Sequence, residues 1–222
     1  MTLHRGLPRG PILAFIVLAG LLMSLPARAS DPQVDGAADF VRGLSATAVE
    51  RLGDPERDDA RRRAAFTRLL ERHFAVQDIS RFVLARYWRV ADGDTREAFQ
   101  TTFKEMLTQR FLPMFQDYDT GDVRVTGARK DPAGEKLYRV ETQVARPQGG
   151  NTVAVVWRLR SSGDGFQVVD VVAEQVSMAI TLRSEFTTVI QRNGGQVQAL
   201  VERMQRKIAQ GSYAPAGSRT QS

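Results

Sequence analysis

Phe99, Phe103, Leu107, Phe111 and Phe115 recur at intervals of four residues, with Met106, Met114 and Tyr118 on the adjoining stripe. On a helix that spacing puts them all on one face. Each such side chain gains roughly 1.5–3 kcal/mol when fully withdrawn from water. A helix carrying a row of them must therefore cover it with the rest of the chain or with an apolar guest. The stretch from Ile79 to Tyr118, read with Phe166–Met178, concentrates apolar and aromatic groups without a nucleophile, base or metal cluster beside them. That favours holding something greasy over breaking bonds.

From Gly121 the apolar period changes from helical to alternating, with turn residues at short intervals. Val123 and Val125 predict a first strand, Tyr138, Val140 and Val144 a second, Val153, Val155, Trp157 and Leu159 a third, and Phe166–Ala173 a fourth. The connectors 130–134, 147–150 and 162–165 are hairpin material, so the strands should form an antiparallel meander. Before them, Asp31-Pro32 caps a helix whose stripe is Val34, Ala37, Val41, Leu44, Ala48 and Leu52, ending at Gly53. A second helix carries Ala65, Phe66, Leu69, Leu70 and Phe74. A third begins near Asp78 and contains Phe82, Val83, Tyr87 and Trp88. A fourth opens at Asp94 with Glu97 three residues on, and Pro113 should kink it or start a new turn. Helices return at Thr181–Ile190 and Val197–Ile208. The expected fold class is α+β, with helices packed on one face of a curved antiparallel sheet.

The first residues read as a secretory signal peptide, residues 1–29: Arg5 and Arg9, an apolar run from Ile12 to Leu25, then Ala27-Arg28-Ala29. Its removal lowers the formal charge from +6 to +3 and leaves 193 residues, a length suited to one domain, 30–210, with a tail 211–222 expected to be disordered. With no cysteine there is neither a disulfide nor a lipidated N-terminal thiol, and the expected location is the bacterial periplasm. Arginines spread along helices rather than stacked in a block argue against nucleic acid as partner. Arg81, Arg86 and Arg89 could instead steer the chain toward lipid headgroups or acidic partner surfaces.

Catalytic and metal chemistry finds little support. The histidines are His4, within the signal segment, and His73, and no carboxylate run has calcium-loop spacing. Ser177 lacks the G-x-S-x-G turn of a hydrolase. Asp170 interrupts the apolar strand Val168–Val172, and is read as facing solvent or buried with a cationic partner, with Glu174 and Arg183 as neighbours to consider.

The blocks Phe82-Val83-Leu84-Ala85-Arg86-Tyr87-Trp88, Arg96-Glu97-Ala98-Phe99 and Phe103-Lys104-Glu105 resemble the MlaC family, also called toluene-tolerance proteins. The likeness resumes over Phe166–Met178, Arg183-Ser184-Glu185-Phe186 and Gly194-Gly195, in the same order. The chain departs from the family at Ala85 and Gln175, where glycine is usual. The resemblance implies an NTF2-like outline and a soluble periplasmic shuttle with phospholipid acyl chains in an apolar pocket between the layers. It also implies docking to an outer-membrane lipoprotein–porin assembly and an inner-membrane ABC-transporter complex, with a hopanoid as alternative guest. No cofactor or metal is expected.

The residues agree for a physical reason. Exposing two long acyl chains to water would cost more than ~20 kcal/mol, so a carrier must cover them, and no catalytic group is required. The expected lining is Phe82, Val83, Tyr87, Phe99, Phe103, Leu107 and Phe111 from the helices. The sheet is expected to add Val140, Val144, Val155, Trp157, Val172, Val176 and, at the strand end, Met178. Any of these would also serve as ordinary core. Two rivals remain: an NTF2-like enzyme using Asp170 with Tyr87 or Tyr138, and a periplasmic chaperone or adaptor that buries an apolar peptide.

Overall fold

A computed structural model describes residues 31–54, 58–115, 122–145, 151–163 and 165–214. The signal segment, Tyr118, Gly121 and the turn 147–150 lie outside the described residues. Helix α1, Pro32–Leu52, begins where Asp31 accepts the Gln33 N–H at 3.0 Å, and it buries Ala37, Ala38, Val41, Leu44, Ala48 and Leu52. Asp58 caps α2, Asp59–His73. The single third helix expected around Phe82–Trp88 is two: α3, Val76–Leu84, and α4, Tyr87–Val90. The break falls at Ala85, which takes φ 51° and ψ −128°, a conformation that cannot continue a right-handed helix.

Helix α5, Gly93–Phe111, is capped by Asp92, whose carboxylate accepts the Thr95 N–H at 2.7 Å, two residues ahead of the expected Asp94. The chain then tightens into a 3-10 turn over Leu112–Phe115 around Pro113. Two C-terminal helices follow the sheet, α6 at Met178–Arg192 and α7 at Val197–Ala209. None of the described helices is long and apolar enough to cross a membrane.

Strands β1 Val123–Lys130, β2 Leu137–Val144, β3 Val153–Ser162, β4 Gly165–Ala173 and a two-residue β5, Val176–Ser177, pair antiparallel in chain order. Ladder partners share a face. Tyr138 with Leu159, and Leu159 with Val168, thus define an inner face, which α1 crosses. A bulge lies between Val125 and Gly127 of β1, and a second where Arg158–Leu159 opposes Val168–Asp170. Each adds one residue and bends its strand, supplying the curvature. Phe166 of the inner face sits against Phe40 of α1 and Tyr138 of β2, with ring centroids 6.0 and 5.4 Å away.

Away from α1, the helical layer closes on itself. Phe99 and Phe103 stack at 5.5 Å, and Phe186 of α6 meets both edge-on at 5.8 and 6.1 Å. Such pairs contribute roughly 0.5–1.5 kcal/mol beyond area burial. Beyond α7, residues 211–214, assigned above to the tail, form an ordered turn instead. There the Tyr213 N–H donates to Gln109 Oε1, and Lys207 lies over the Tyr213 ring. Residues 215–222 are outside the described set.

Candidate functional site

The inner face of the sheet is graded. At one end Tyr138, Val140, Leu159 and Val168 are buried in the main core. At the other, Val123 faces Val144, Val144 faces Val153, and Val155 and Trp157 pair with Ala173 and Val171. Those valines and Trp157 are half-buried. Trp157 is fixed there because its indole N–H donates to Thr142 Oγ1 at 3.1 Å, and Thr142 in turn donates to the Val155 carbonyl. Phe111, Phe115 and Met178 are likewise partly covered apolar groups packed against the core. The result is an apolar strip that leads from solvent into the interlayer core.

The expected lining divides into three sets. Val83, Tyr87, Phe99, Phe103, Leu107 and Val140 are buried core, whereas Phe111, Val144, Val155, Trp157 and Met178 belong to the half-buried strip. Phe82, Val172 and Val176 depart from the expectation. Phe82 is 41% exposed and Val176 60% exposed. Val172 pairs with Val156 on the outer face, because the extra residue in the β4 bulge reverses the alternation and turns Val171 inward. No alternation rule applied to the sequence locates that bulge. Phe186 was overlooked for the opposite reason: with Leu182 and Ile190 it marks a four-residue stripe that was readable.

The rings of Phe99, Phe103 and Phe186 are buried at 0–4% exposure, packed on one another within the helical layer. Two surface cavities lie elsewhere. One of about 390 Å³ sits between the start of α1 and the β3–β4 hairpin, against Gly36 and Phe166. The other, about 350 Å³, lies between the α4–α5 junction and the α6–α7 turn, against Val90 and Gly195. Neither is bounded by an expected lining residue.

Asp170 is buried, but its partners are neither Glu174 nor Arg183. Its carboxylate accepts the Ser177 hydroxyl at 2.6 Å and the Ala179 N–H at 3.0 Å, fastening the start of α6 to β4. A carboxylate at a helix N-terminus is stabilised by the unpaired amides and the helix dipole. Asp170 is in register with Arg158 on the outer face, opposite Tyr138, and the Tyr87 hydroxyl is engaged by Arg86 Nη2 at 2.8 Å. Asp170 and Tyr138, a pair the enzyme reading would use, therefore lie on opposite faces of the sheet.

Asp131, read from sequence as a turn residue, is the other buried carboxylate among the described residues. Burial by itself raises its carboxyl, but hydrogen bonds from Arg139 at 2.8 Å, the Ala133 N–H and Arg158 outweigh that and bring it down to about 2. This cluster ties the β1–β2 turn to the outer face and is structural. His73 packs edge-on against Phe40 at 5.7 Å, and burial pushes its imidazole below its ordinary value. No group of three or more potential metal ligands occurs among the described residues.

Fold and site together define an α+β domain with a partly open apolar face, whose buried carboxylates are spent on structure. Over residues 43–206 the chain matches the MlaC protein family, and it belongs to that family. It is 25% identical over 188 residues to the toluene tolerance protein ttg2D of Pseudomonas putida, covering 81% of this chain and 85% of that protein. Among solved structures it is similar to the phospholipid-binding protein from Ralstonia solanacearum, determined in complex with a phospholipid. That match has a TM-score of 0.64 at 19% identity and covers 79% of this chain and 98% of the other.

Proposed function

We propose that this protein is a periplasmic phospholipid carrier, exported by cleavage of residues 1–29, which shuttles lipid between outer- and inner-membrane complexes and so maintains lipid asymmetry. The observation that carries this reading is the half-buried strip of Val144, Val155, Trp157 and Val171 on the inner face of the sheet, of which Trp157 and Val171 pack against the core. Membership of the MlaC family and the phospholipid-bound structural relative support it. The carrier itself catalyses nothing.

Acyl chains that enter along the strip leave one dry environment for another, so exchange with a membrane is nearly balanced, and partner complexes set its direction.

Organic extraction of the purified protein followed by mass spectrometry tests this directly. Stoichiometric diacyl lipid is the expected result. A hopanoid would change the cargo, a bound peptide would favour an adaptor, and protein that stays empty after expression in lipid-rich cells would refute the carrier.

A further inference from the structure

The surfaces of α3, α4 and α6 carry an arrangement that burial of cargo does not require. Among the described residues five large apolar side chains are exposed, and four of them, Phe82, Val90, Val176 and Ile180, lie on α3, α4, β5 and the start of α6. Five arginines accompany them. Arg183 lies over Phe82 at 5.0 Å, Arg81 and Arg96 over Trp88 at 5.7 and 5.3 Å, and Arg86 over Tyr87 at 4.9 Å, while Arg89 is exposed on α4. None of these five forms a salt bridge among the described residues, whereas Arg139, Arg158 and Arg160 of the sheet all do.

The nearby acids answer the positive charge only in part. Asp78 is held by Arg160, Asp92 caps α5 and also attracts Arg96, whose guanidinium donates to the Trp88 and Arg89 carbonyls, and Glu174 accepts the Ala154 N–H. Glu185 is within electrostatic reach of Tyr213. Asp94 and Glu97 remain as exposed acids at the start of α5.

We propose that this arginine-aromatic face docks on the surface of an anionic phospholipid bilayer, with Phe82 and Ile180 entering the headgroup layer and the arginines meeting phosphates. Guanidinium groups stacked on rings are held beside the apolar side chains, matching a bilayer's charged layer over its apolar one. Phe82 and Ile180 bound neither of the two surface cavities described above, whereas a protein anchor site would supply a pocket. The inference goes beyond cargo binding and does not depend on it.

The test is co-sedimentation of the full mature protein with phosphatidylcholine vesicles, with and without phosphatidylglycerol as a minority lipid, at low and high ionic strength. Binding is expected with phosphatidylglycerol only, and should weaken with salt. Each arginine near an anionic surface contributes about fivefold in affinity, so Arg81→Glu/Arg183→Glu should bind at least ~20-fold more weakly. Ile180→Ser, at an exposed position, should weaken binding severalfold without loss of folding. Arg61→Glu/Arg63→Glu on α2 changes the net charge equally and should stay within twofold of the parent. Equal loss in both arginine pairs, or no binding to phosphatidylglycerol vesicles at low salt, overturns the proposal. In the latter case an acidic protein partner becomes the occupant. Extracted lipid is measured on the same samples: variants that still carry phospholipid but ignore vesicles leave the carrier reading intact, and empty protein that binds vesicles does the reverse.

Discussion

Replacing Ala85 by glycine should stabilise the protein, although it removes a methyl group and adds backbone freedom. Ala85 sits at φ 51° and ψ −128° between α3 and α4, with its N–H shared between the Arg81 and Phe82 carbonyls. A side chain there crowds its own backbone at a cost of about 1–3 kcal/mol. Glycine removes that cost but makes the unfolded chain more disordered, giving back about 0.4–1 kcal/mol. The net expectation is a gain of about 1 kcal/mol, or a rise in Tm of about 2–4 °C for a domain of this size. Gln175 is the internal comparison, since it also has positive φ, at 65°, beside Glu174 at 49°. Positive φ costs an L-residue about 1–2 kcal/mol, so Gln175→Gly should also gain stability. Urea unfolding of the three proteins, with equal slopes confirming comparable unfolded states, measures both gains. Destabilisation by Ala85→Gly would refute the assignment of strain to the α3–α4 elbow.

Three further substitutions address charge and cargo. The Asp131 carboxyl stands at about 2 in the folded chain against an ordinary 3.8, so its contribution, about 2 kcal/mol, is present above pH ~4 and lost as pH falls through ~2. Asp131→Asn should therefore be less stable near neutral pH, with the gap to the parent closing on acidification; a gap independent of pH contradicts this. Asp170→Asn should lose roughly 1–2 kcal/mol by weakening the start of α6 while leaving extracted lipid unchanged, and loss of lipid from a folded variant would give Asp170 a role in cargo binding. Val155→Lys puts a charge on the half-buried strip, where it can still reach water. Extracted lipid should fall at least ~10-fold with little change in Tm, and retained lipid would move the cargo off the sheet face.

Local signals were legible in the chain and tertiary geometry was not. Asp31-Pro32 marked the α1 start to the residue, because capping depends on neighbours in sequence. The alternation of valines located β1 to β4, since pleating has a fixed period of two. The two positions where the family usually has glycine, Ala85 and Gln175, are positions of positive φ, which only the geometry showed. Asp92, a better-placed cap than Asp94, and the break at Ala85 show where two plausible helix starts or one continuous apolar pattern leave the boundary open.

What the sequence determined by itself is the order and type of the elements and the apolar faces they must hide, because propensity, capping and periodicity are local. The tertiary structure decided which apolar groups are core and which form the open strip. The β4 bulge turned Val171 inward and Val172 outward, and the packing of α3 on α6 left Phe82 and Ile180 in water beside unpaired arginines. Those outcomes depend on how strands bend and layers meet, and so on contacts between residues far apart in the chain.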